Sequence, residues 1–108
     1  IDVIRSLVNV LKSYPKKYEL INTFLIGVMR HYQEEKIRSE GIKVMEFEIQ
    51  EIGGEAKKEC LKALIKFLNH ATYQKIHFQI LGIVSREVGK EDLNSEILKN
   101  LIEEIYLQ

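Results

Sequence analysis

Tryptophan is absent from this chain, and cysteine and proline occur once each. A single thiol, Cys60, cannot close an internal disulfide, so stability must come from packing, and a reducing compartment is expected. With Pro15 the only residue that lacks a backbone N–H, long stretches are free to be helical. No apolar run approaches the roughly 20 residues that span a bilayer, and Ile1-Asp2-Val3-Ile4 has neither the charged start nor the cleavage site of a secretory signal. A soluble, intracellular protein is expected. Neither sign of charge is in excess: 16 Lys and Arg cancel 16 Asp and Glu. That removes the concentrated positive field on which nucleic-acid affinity rests, so no nucleic-acid partner is expected.

What is present is helical periodicity. The 108 residues suffice for one domain with a modest core, so 1–108 is read as a single unit. It opens without methionine and without an obvious capping residue, so a fragment of something longer is expected. Val3, Ile4, Leu7, Val8 and Leu11 recur at three- and four-residue steps and predict a first helix with one buried face. Tyr14 must close it and Pro15 open the next, because proline restrains the residue before it and suits a first turn. Tyr18, Ile21, Leu25, Val28, Met29 and Tyr32 predict the second helix, with Leu20 and Phe24 widening its stripe.

Met45-Glu46-Phe47-Glu48-Ile49-Gln50 alternates as a half-buried strand would. Ile42, Met45, Ile49 and Ile52 nevertheless fit the helical period, and Gly53-Gly54 supplies a stop, so a third helix is expected. Ala56, Cys60, Ala63, Leu64, Phe67, Leu68 and Ala71 predict a fourth. Thr72 is placed to cap a fifth that carries Tyr73, Ile76, Ile80, Ile83 and Val84 until Gly89. Asp92 or Asn94 starts a sixth with Ile97, Leu98, Leu101, Ile102 and Ile105. Paired in order, these form three hairpins, 1–35, 37–71 and 72–108, near the length of the helical repeats that stack into solenoids. The expected fold is all-α, an α-α superhelix of HEAT or armadillo type. A compact six-helix bundle is the alternative.

No catalytic, cofactor or metal site is assigned. His31, His70 and His77 lie on different predicted helices, with no cysteine or second histidine at ligand spacing. Cys60 sits on an apolar face without a basic neighbour to activate it, and reads as a small core thiol. The diglycine reads as a hinge rather than an anion cradle, because Glu55 enters the following helix where an anion would sit. Glu34, Glu35, Glu46, Glu48, Glu51, Glu103 and Glu104 read as solvated faces mixed with lysine. Lys57, Lys58, Lys62 and Lys66 stripe one side of the fourth helix and are read in the same way.

The string Leu11-Lys12-Ser13-Tyr14-Pro15-Lys16-Lys17-Tyr18-Glu19 resembles the helix-to-helix joint of the adaptin and coatomer large subunits. Later segments follow the same order with almost no gaps. Phe24-Leu25, Glu55-Ala56-Lys57-Lys58-Glu59-Cys60-Leu61 and Lys66-Phe67-Leu68-Asn69-His70-Ala71 are similar to family segments. So are Gln79-Ile80-Leu81-Gly82-Ile83-Val84-Ser85-Arg86-Glu87 and Glu104-Ile105-Tyr106-Leu107-Gln108. The chain departs from the family pattern at Glu34-Glu35-Lys36-Ile37 and Ile37-Arg38-Ser39-Glu40. The resemblance is strongest to the coatomer (COPI) gamma subunit. It implies a non-enzymatic α-solenoid trunk segment of a vesicle coat in Golgi transport, cytoplasmic and peripheral on Golgi and vesicle membranes. The implied partners are other coatomer subunits and an Arf-family GTPase, the latter bound through regions not matched here. A HEAT scaffold of another assembly, such as a clathrin adaptor, nuclear-transport or chromosome-associated protein, is the nearest alternative. A small helical ligand-binding bundle would need a pocket lined by His70, His77 or Cys60.

Overall fold

Proline and two glycines set the punctuation of the chain. In the computed structural model, residues 2–68 and 73–88 are described, and every element among them is helical. Helix α1 (Asp2–Ser13) buries Ile4 and Leu11. Its last turn closes where the Tyr14 N–H donates to the Val10 carbonyl at 2.7 Å. Tyr14 then leaves helical geometry (φ −134°, ψ 72°), as a residue before proline must. Pro15 opens a 3-10 turn (Pro15–Lys17) that runs directly into α2 (Tyr18–His31). The proline joint therefore falls where the sequence places it.

Helix α3 (Glu35–Phe47) widens into a π-helical turn (Glu48–Ile52), which ends when the Gly53 N–H reaches the Glu48 carbonyl at 3.0 Å. The segment is helical and not a strand, in keeping with the Ile42, Met45, Ile49 and Ile52 spacing. Gly53 and Gly54 both take positive φ, 68° and 56°, a region that costs residues with a Cβ. They reverse the chain into α4 (Gly54–Phe67), whose first turn closes on the Gly53 carbonyl. Helix α5 (Gln74–Val88) begins where the Tyr73 carbonyl accepts from Ile76 and His77. The predicted cap Thr72, the stop Gly89 and the sixth helix lie outside the described residues.

Helix α3 is central and packs on α1, α2, α4 and α5; α2 also packs on α4, and α4 on α5. The smallest dimension is 18 Å, the thickness of two helix layers at the usual 8–10 Å spacing. One continuous core joins Leu11, Leu25, Met29, Ile42, Met45, Leu61, Leu64, Ile65, Ile76 and Ile80. Gly41 permits the closest approach in it, because a Cβ there would stand 2.6 Å from Met29 Sδ. Arg38 is buried and donates from Nε to the Met29 carbonyl at 3.0 Å, with its guanidinium over the Phe67 ring. It thereby satisfies a carbonyl at the end of α2 and ties that end to α4.

Candidate functional site

The first hairpin carries more apolar surface than its core contacts use. Val3, Leu7 and Val10 on α1 and Tyr14 just past its end recur at steps of four, three and four residues, a stripe beside the Ile4–Leu11 face that shares Leu7 with the core. On α2, Leu20 and Phe24 stand one turn apart beside the buried Ile21. The two stripes face a common groove of about 630 Å³, which Lys17 and Thr23 complete. Its walls are open to solvent: Leu20 is 69% exposed, Val3 65%, Tyr14 64% and Phe24 45%. Val3, Leu20 and Phe24, expected on buried faces, instead point outward, because α1 and α2 each present two apolar stripes and the core covers only one.

The groove continues at the joint into a depression of about 380 Å³ lined by Ser13, Tyr14, Pro15, Lys16 and Lys17. Neither Lys16 nor Lys17 forms an ion pair among the described residues. The nearby Glu19 carboxylate lies 3.5 Å from the Tyr18 hydroxyl that donates to it. Apolar walls with a cationic end can take an apolar helix face that brings carboxylates to one end.

A second concentration of polar groups lies inside the protein. Glu48, read from sequence as part of a solvated face, is fully buried, and neither of its carboxylate oxygens has a hydrogen-bond partner among the described residues. The reason is its register: Glu48 is three residues after Met45, and the π turn puts both Glu48 and Ile49 inward. Burial pushes its pKa up to about 8, with the Glu59 charge adding to the effect and the neighbouring Cys60 and Asn22 opposing it. At pH 7 its carboxylic acid form is therefore favoured over the carboxylate. The Asn22 amide reaches Glu59 Oε1 at 3.3 Å and Cys60 Sγ at 3.5 Å. Cys60 is buried as expected, and its thiol is pushed well above its ordinary range, first by burial and then by Glu48. Such a thiol is a poor nucleophile.

The remaining sequence candidates are dispersed. His31 lies at the exposed end of α2, edge-on to Tyr32, and His77 is half-buried on α5. His70 lies outside the described residues. No group of three or more His, Cys, Asp or Glu side chains able to hold a metal occurs among the described residues. The lysine stripe of α4 is divided rather than uniformly solvated. Lys57 is nearly buried and pairs with buried Glu87 at 3.1 Å, because α5 packs over that side of α4. Lys58 pairs with Glu55 one turn away at 3.6 Å. The carboxylates expected to be solvated are also drawn into ties between helices: Glu46 pairs with Arg86, and Glu35 with Lys75 at 3.7 Å.

Among the described residues, no helix is long and apolar enough to cross a membrane. No protein-family model, curated protein or solved structure matches the chain.

Proposed function

We propose that this chain is a non-enzymatic helical scaffold segment that works by protein–protein assembly, with its hairpins stacked as an α-solenoid. The observation that carries the reading is the uncovered apolar groove on α1 and α2. A closed helical globule would have spent those side chains in its core, whereas a segment that works by assembly keeps such a surface for what it binds. The order of packing supports the stack. Helices α1, α3 and α5 follow one another, α2 adjoins α4, and each hairpin touches the next.

The finer form of the proposal comes from the resemblance of Tyr14-Pro15-Lys16-Lys17-Tyr18 and the segments after it to coat-subunit trunks. In that form the chain belongs to a vesicle coat of the coatomer type, cytoplasmic and peripheral on Golgi membranes, with other coatomer subunits and an Arf-family GTPase as partners of the parent chain. Affinity capture with the full-length chain and a GTP-loaded Arf-type GTPase tests it. Recovery of coatomer subunits supports the coat reading. Recovery of a different assembly assigns the scaffold elsewhere, and a monomer that captures none contradicts assembly through this chain.

A further inference from the structure

The groove between α1 and α2 has an internal counterpart that is filled. Helix α2 packs against both α3 and α4, burying Ile21, Leu25 and Met29 on the face it turns to them. Those three residues stand four apart, and Asn22 beside them is buried as well. Two consecutive helices of this chain therefore take one amphipathic helix against the pair, through apolar side chains spaced one turn apart. Helices α1 and α2 are the same kind of pair: α3 packs against both on one side, and the exposed groove lies where no described helix covers them.

The dimensions suit the same occupant. From Val3 to Tyr14 the groove wall runs about 16 Å at 1.5 Å per residue, room for about three turns. A flat membrane surface cannot fill a concave groove, while the side chains of one helix face can enter between two others. The charge is not symmetric along it. Lys16 and Lys17 stand at the joint end, and Asp2 stands beside Val3 at the other.

We propose that the groove binds an amphipathic helix of a partner protein, whose apolar residues at one-turn spacing seat against Val10, Leu20 and Phe24 and whose acidic end pairs with Lys16 and Lys17. The proposal rests on the scaffold reading but not on the coat family. Failure to capture coat subunits would leave it standing, and a wild type that binds no helical peptide yet captures partners in a Leu20-dependent way would leave the scaffold reading standing without it.

The test uses the full chain and a fluorescent peptide of about twenty residues, above the roughly 12–15 below which isolated helices are marginal. The peptide carries leucines at one-turn spacing on one face and glutamates in both end turns, so its direction in the groove is immaterial. Fluorescence anisotropy is expected to show saturable binding. Leu20→Lys should weaken binding at least tenfold, and Phe24→Ser, an independent variant, should weaken it severalfold. Lys16→Glu with Lys17→Glu should weaken it severalfold and make added salt strengthen rather than weaken it, and a peptide with lysines for glutamates should bind more weakly to the wild type. Far-UV circular dichroism and a thermal melt show whether each variant keeps its fold. No binding by the wild type, or binding that folded Leu20→Lys and Phe24→Ser leave unchanged, overturns the proposal. Two further results without peptide binding overturn it as well: Leu20-dependent binding to phosphatidylserine vesicles assigns the face to a membrane, and Leu20-dependent dimerisation in light scattering assigns it to a second copy.

Discussion

Glu48 is where single-residue chemistry departs furthest from what the sequence suggests. A carboxylate between Phe47 and Ile49 in an alternating run reads as the polar half of an exposed face, yet it is buried and unpartnered. Its folded-state pKa of about 8 lies above the ordinary 4.5. Between these values the folded chain holds a proton that the unfolded chain has released. Stability therefore falls as pH rises through that window, by up to about 1.4 kcal/mol per pH unit for one proton, and is level on either side. Glu48→Gln keeps the shape and removes the charge. It should melt near the wild-type temperature at about pH 4 and above it at about pH 9. A wild-type melting temperature that does not fall over this window, or a variant that follows the wild type throughout, would contradict the burial of an ionisable Glu48. Arg38 gives a second test. Arg38→Ala leaves the Met29 carbonyl without its donor and strips the Phe67 ring, a loss of about 2–3 kcal/mol in denaturant unfolding.

At the scale of elements, boundaries governed by local chemistry were legible and those governed by tertiary contact were not. Pro15 and Gly53-Gly54 could be placed from sequence because a missing N–H and a positive φ are properties of the residue itself. The π turn could not, because a widened turn depends on what Glu48 and Ile49 pack against. Nor could the burial of Lys57, which required knowing that α5 covers that side of α4. The Lys57–Glu87 pair joins those helices with side chains only 13% and 4% exposed. Removing one partner takes this pairing from a buried charge, so Lys57→Ala should cost about 3 kcal/mol, while Lys57→Met with Glu87→Leu should cost clearly less. Urea unfolding of the two variants decides this; equal losses would mean that packing rather than charge holds the pair. Gly53→Ala forces a Cβ into positive φ and should cost about 1 kcal/mol by the same measurement.

For the molecule as a whole, the sequence carried the helical class, the joint and most of the core, since Ile21, Leu25, Met29, Cys60, Leu64, Ile76 and Ile80 all fall on predicted stripes and are buried. The groove was not read from it, although its signal was present. Val3, Leu7, Val10 and Tyr14 keep helical spacing on a stripe beside the Ile4–Leu11 face, and a helix with two apolar stripes has two things to cover. Which stripe met the core and which stayed open was decided by α3, more than twenty residues later in the chain. Because Leu20 and Phe24 are exposed, Leu20→Lys with Phe24→Lys should change folding stability by no more than about 0.5 kcal/mol per site while removing the assembly surface.

The most direct measurement compares that double variant with the wild type in affinity capture by the full-length chain, alongside thermal melts of both proteins. The scaffold reading predicts unchanged melting, partner subunits recovered with the wild type, and their loss with the double variant. Equal recovery by the two proteins, or a wild-type chain that remains monomeric and captures no subunit, would contradict it.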